Sequence, residues 1–119
     1  MANELTINLS LSFSKGGLKT SMQSGTRQYG VTGTDYAHET MTAPTSITVL
    51  PLGAITTPGY CQMQNLDTVN YVDVYNASGG AACVRLKAGE VAVFRFAGTA
   101  PAVKANVAPV KIEYLLISD

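Results

Sequence analysis

The stretch LTINLSLSF, residues 5–13, decides the fold class. Leu5, Ile7, Leu9, Leu11 and Phe13 alternate without exception with Thr6, Asn8, Ser10 and Ser12. A two-residue period puts the five apolar side chains on one side of an extended chain, whereas a helix would spread them around its circumference. The alternation predicts a half-buried β-strand. The following SKGG carries two successive glycines, which accept the positive φ of a tight hairpin turn. Leu18, Thr20 and Met22 then predict a weaker return strand.

The same pattern continues along the chain. Residues 25–33 and 36–41 read as short, partly exposed strands. The β-branched run 46–50 is closed by Pro51, which cannot donate to a next ladder position. Pro58 and Gly59 suit the two central positions of a turn, and a strand leaves it over residues 60–65. Further strands are expected over 70–75, 82–86, 91–96, 102–106 and 110–117, the last with Val110, Ile112, Tyr114 and Leu115 competing for the inward face. Glycine and proline punctuate these runs at intervals of roughly 8–12 residues, and no window shows a helical period with caps. The expectation is an all-β chain: a single-domain β-sandwich, jelly-roll-like, of about 8–10 short antiparallel strands spanning residues 1–119. Its first strand, as an arm over residues 1–14, is placed to pair with a neighbouring subunit.

With 119 residues the chain has the length of one domain. Eight Lys and Arg balance eight Asp and Glu, so the basic footprint of a nucleic-acid or anionic-membrane binder is missing. Charged residues are 13% of the chain, about half the usual share of roughly 25%. A polar surface with few charges suits a protein that ends packed in an assembly. No basic leader with a continuous apolar run opens the sequence, and no stretch reaches the length of a membrane-spanning helix. The chain is therefore expected to be soluble and not to be secreted by a cleaved signal.

The search for chemistry is short. His38 is the one histidine. Asp35 and Glu39 flank it, yet no Gly-x-Ser-x-Gly elbow offers a nucleophile, so no catalytic residue is assigned and no enzyme activity is expected. Cys61 and Cys83 are 22 positions apart, far from metal-ligand spacing, and no metal site is assigned. Both cysteines sit in strand-like runs and are expected as free, buried thiols; a disulfide would need their strands to be neighbours. Gly16-Gly17 and Gly79-Gly80 lack the Gly-Lys-Ser/Thr step of a phosphate loop, and no cofactor is expected. The tyrosines are not interleaved with Lys and Arg as a single-strand binding groove requires, so they are read as strand residues or interface anchors. For an interface the sequence offers Tyr36, His38 and Met41 in a segment rimmed by turns. It also offers Tyr71 and Tyr75, spaced to stand together on an outer face.

Four segments carry a resemblance: MANELTINLSLSFSKGG (1–17), NLDTVNYVDVYNASGG (65–80), VRLKAGEVAVFRF (84–96) and VKANVAPVKIEYLLISD (103–119). Their order and style resemble small structural proteins encoded among the virion genes of tailed bacteriophages. The resemblance covers about half the chain and is a pattern of β-structure with no catalytic signature. Residues 22–58 fall outside it. It implies a virion protein without enzyme activity, a decoration or cement protein on the capsid exterior. The implied partners are the major capsid protein or other virion proteins, and the implied state is a homo-oligomer, a trimer by resemblance alone. Two alternatives stay open: a structural protein of the tail, baseplate or head-to-tail connector, and a jelly-roll carbohydrate-binding module that uses exposed tyrosines for host attachment.

Overall fold

The computed structural model describes residues 4–119, and among these ten β-strands form and no helix does. They are β1 (Leu5–Lys15), β2 (Leu18–Tyr29), β3 (Tyr36–Ala43), β4 (Thr48–Val49), β5 (Pro58–Asn65), β6 (Val72–Tyr75), β7 (Ala82–Leu86), β8 (Val91–Arg95), β9 (Ala102–Ala105) and β10 (Val110–Ser118). The all-β expectation holds, and every ladder is antiparallel. Residues 1–3 of the expected N-terminal arm lie outside the described residues. The chain forms two compact units that meet in sequence between Thr32 and Gly33.

The first unit is the β1–β2 hairpin, a two-stranded sheet closed by Gly16 and Gly17 at φ 56° and 86°. The alternation at residues 5–13 does make a strand; on its apolar side Leu5 and Ile7 are partly buried, as expected, whereas Leu9, Leu11 and Phe13 are exposed. β2 also runs further than the sequence suggested. Leu18, Thr20 and Met22 occupy even positions, whereas Gly25, Arg27 and Tyr29 continue on odd ones. The pairing stays intact because Ser24 is bulged out between Gln23, opposite Ser10, and Gly25, opposite Leu9. The Ser24 hydroxyl accepts the Leu9 N–H at 2.9 Å, and Gly25 takes φ 66°, the left-handed conformation that favours glycine at such a bulge.

The second unit, Gly33–Asp119, is a sandwich of two four-stranded sheets. One has the order β3-β10-β5-β8, the other β4-β9-β6-β7. The pairs β3·β10, β4·β9, β5·β8 and β6·β7 are those of one long folded ribbon, and rolling that ribbon up adds the β10·β5 and β9·β6 contacts. This winding of eight strands is the jelly-roll pattern. Its inner faces carry Cys61, Met63, Val72, Val74, Leu86, Val103, Val110, Ile112, Tyr114 and Leu116, all buried. The competition in β10 resolves by strict alternation: Val110, Ile112, Tyr114 and Leu116 face inward and Leu115 faces out.

Two expectations change. Pro58 and Gly59 are not the centre of a turn but open β5, with Pro58 opposite Ser118. The turn comes earlier, at Gly53 with φ 59°. Cys61 is buried and Cys83 is exposed; both are free. Cys83 is the residue left over on β7 between Val84, opposite Val74, and Ala82, opposite Tyr75, and that bulge at the sheet edge takes it out of the core.

Candidate interaction surfaces

In an antiparallel ladder, residues opposite one another share a face. The β1–β2 register therefore collects Leu5, Ile7, Leu9, Leu11, Phe13, Leu18, Met22 and Tyr29 on one side of the hairpin, together with Lys15, Thr20 and Arg27. The other side holds Thr6, Asn8, Ser10, Ser12, Ser21, Gln23, Thr26 and Gln28. Leu11 is 76% exposed, Leu18 68% and Met22 78%. Leu9, Phe13 and Tyr29 are also exposed, whereas Leu5 and Ile7 are partly buried, and a two-stranded hairpin is marginal by itself. None of these residues is among the interface residues expected from the sequence, because alternation by itself does not distinguish a face packed within the chain from an exposed one. The signal available was the count: eight later strands already complete a sandwich, which leaves β1 and β2 over.

The candidate residues divide between the two sheets of the sandwich. Tyr36 and His38 lie on the outer face of β3, with Tyr36 70% exposed. The His38 Nε2 is 2.8 Å from Glu113 Oε2 on the neighbouring β10, so its carboxylate partner is Glu113 and not the flanking Asp35 or Glu39. The pair borders a shallow recess of about 220 Å³ with Gln62, Gln64 and Leu115. Met41 lies on the opposite side of β3, packed against the core, and does not join them.

Tyr71 and Tyr75 come together on the other sheet, around Arg85. The Arg85 guanidinium lies 3.9 Å from the centre of the Tyr71 ring and forms a bidentate pair with Asp73, at 2.7 and 3.0 Å. That pairing, above all, raises the Arg85 pKa. Tyr75 is only 8% exposed. One ring thus carries a cation on its face and the other is buried. Arg85 was not among the expected residues; its position opposite Asp73 in the β6·β7 ladder is what gathers the cluster.

Two segments of the resemblance, 65–80 and 84–96, meet at Asn65. Its side-chain amide donates to the carbonyls of Asn70, at 3.0 Å, and Leu86, at 2.9 Å, and its Oδ1 accepts the Asp67 N–H at 2.7 Å. Asp67 in turn accepts the N–H groups of Asn70 and Val69, which hold its carboxyl below the usual range. The Asn-Leu-Asp loop and the end of β7 are therefore stitched to one buried amide. Among the described residues, no three His, Cys, Asp or Glu side chains stand close enough to hold one metal ion. Comparison with known protein families, curated proteins and solved structures found no match to this chain.

Proposed function

We propose that this chain is a non-enzymatic structural protein of tailed-bacteriophage virions that decorates the capsid exterior and stabilises the shell by adhesion to the major capsid protein. The observation that carries the adhesive part is the hairpin, one side of which exposes Leu9, Leu11, Phe13, Leu18 and Met22. Two packed layers are the least that buries a sheet face, so this one is suited to being completed by contact with another molecule. The low charge of the chain acts in the same direction, since little ionic desolvation opposes such a contact. The virion setting rests on the resemblance of the four quoted segments. On a shell lattice many such contacts act together, and modest individual affinities add up.

Sugar binding through Tyr71 and Tyr75 is the weaker reading, because Arg85 already occupies one face of the Tyr71 ring and the fold buries Tyr75. Immunogold electron microscopy of particles from cells that produce this chain tests the proposal. Label on the capsid surface is the expected result. Label confined to tails moves the protein to the tail, and particles without label overturn the virion reading.

A further inference from the structure

We infer that β8 is an interface strand: its free edge pairs antiparallel with β8 of a second copy of this chain, about a two-fold axis at Val93, and so joins two four-stranded sheets into one across the subunits. This goes beyond the adhesive reading of the hairpin and does not depend on it.

The sandwich has four edge strands, β3 and β8 in one sheet and β4 and β7 in the other. An unprotected edge is a template for pairing with another chain. Three of these edges are blunted. β4 is two residues long, β7 is interrupted by the bulge at Cys83, and β3 carries the charged Glu39 on its core-facing side, opposite Tyr114. β8 has none of these devices. Its ladder with β5 runs from Val91 to Arg95 without a register shift, its first four residues are uncharged and free of proline, and Val91 is 54% exposed. Such a run on an open edge is what a lysine, a proline or a bulge otherwise breaks.

The backbone fixes which residues are available. The Glu90 carbonyl accepts the Asn65 N–H at 2.9 Å, and the Phe96 N–H donates to the Gly59 carbonyl at 3.1 Å. Even-numbered residues of β8 therefore turn their backbone groups toward β5, and Val91, Val93 and Arg95 turn theirs toward the free edge. With Val93 opposite Val93, Val91 of each copy meets Arg95 of the other, and all three residues exchange both of their hydrogen bonds.

The side chains select the same register and a second β8 as the occupant. Ala92 and Phe94 point toward the core yet stay only partly buried, and Phe94 borders an apolar recess of about 260 Å³ with Cys83, Val84 and Phe96. An added strand must therefore be apolar on that side. β3 would bring Glu39 there, whereas β8 brings Ala92 and Phe94. In the Val93 register each Phe94 lies opposite an Ala92, large against small, as close packing favours. The two neighbouring registers of the same phase set Phe94 against Phe94 or Ala92 against Ala92, and each leaves one of the three bonding residues without a counterpart in the strand. Charge does not oppose the pairing: Arg95 is the one ionisable residue of β8 and is held by Asp119 at 2.8 Å, so no like charges face each other.

Light scattering of the full chain over a concentration series tests the pairing. The expected mass is twice 12.5 kDa. Val93→Pro removes an outward N–H that β5 does not use, and an edge strand tolerates proline in that position. This variant should keep the thermal transition of the sandwich and remain a single chain. Val93→Lys keeps the N–H but sets two ammonium groups opposite one another, and it should need several-fold more protein to associate. In a Cys83→Ser background, Val93→Cys puts the two thiols on facing residues with Cα atoms about 5.5 Å apart, within reach of a disulfide. Val91→Cys leaves them roughly 14 Å apart along the strand. Mild oxidation should cross-link the first and spare the second, although Val91 is the more exposed of the two. A single-chain mass at every concentration, a mass of three chains, association that survives both Val93→Pro and Val93→Lys, or equal cross-linking of the two cysteine variants would overturn the inference.

Discussion

Tyr29 stands opposite Leu5 on the apolar face of the hairpin, although seven positions separate it from Met22 on the same face. An odd separation would put the two on opposite faces of a regular strand; the extra residue at Ser24 absorbs the difference. We predict that deleting Ser24 leaves every pair of the hairpin in place as an unbroken ladder, with the amide protection of β1 and β2 unchanged in hydrogen exchange. If β1 and β2 lose protection while the sandwich keeps its thermal transition, the bulge holds the hairpin through its twist and not by restoring the alternation.

Asn65 is buried, and no other type of side chain supplies its two donors and one acceptor in that space. Asn65→Leu conserves volume but leaves the Leu86 carbonyl, the Asn70 carbonyl and the Asp67 N–H without partners. Unmade buried hydrogen bonds cost about 1–3 kcal/mol each, less where water can enter, so a loss of about 2–4 kcal/mol in urea unfolding is expected. Asn65→Asp should also destabilise, because an ionised carboxylate cannot donate to two carbonyls, and its defect should be smaller at pH 4 than at pH 7. An Asn65→Leu variant as stable as the parent would show that the loop is held by other contacts.

The sandwich was legible in the sequence because its strands obey a period of two and end at glycine or proline; β10 and β5 show the pattern most plainly. What fills each face was less legible. The alternation of β1 is the cleanest in the chain, yet Leu9, Leu11 and Phe13 on its apolar side are exposed, because periodicity reports amphipathicity and does not say whether the apolar side is covered. The continuity of β2 was hidden by the change of parity at Ser24. Pro58 and Gly59 have turn-forming residue types, but Pro58 is the first residue of a strand, where proline is also tolerated. Tyr75 is buried and Tyr71 carries Arg85 on its ring, and Arg85 comes from another strand whose register no local pattern fixes.

The two thiols should react very differently. Burial pushes the Cys61 thiol up to about 12, whereas Cys83 is exposed on the edge strand, its Sγ donating to the Val74 carbonyl at 3.3 Å. Because the thiolate is the reacting species, a disulfide reagent such as DTNB at pH 8 should titrate one thiol in the folded protein and two in guanidinium chloride. Cys83→Ser should abolish the rapid phase. Rapid reaction of both thiols in the native protein would mean that the core around Cys61 opens readily to solvent.

Tyr114 couples the core to alkaline pH. Its hydroxyl donates to the Pro51 carbonyl at 2.7 Å from a ring that is buried in the sandwich, and burial raises its pKa from 10.0 to about 12. In the unfolded chain this tyrosine ionises near pH 10. Between pH 10 and pH 12 the unfolded state has therefore lost a proton that the folded state retains, and stability falls as pH rises through that window. Below pH 10 the contribution is fully present. Tyr114→Phe removes both the hydrogen bond and this dependence while leaving the alkaline response of Cys61 in place. At pH 7 the substitution should cost about 1 kcal/mol, the usual net worth of one hydrogen bond. The gap between the two proteins should then narrow from pH 10 upward and close or reverse by pH 12, as read from urea unfolding at each pH. A gap that stays constant across that range would mean that the phenol ionises as easily in the folded protein as in the unfolded chain, and that water reaches its hydroxyl beside Pro51.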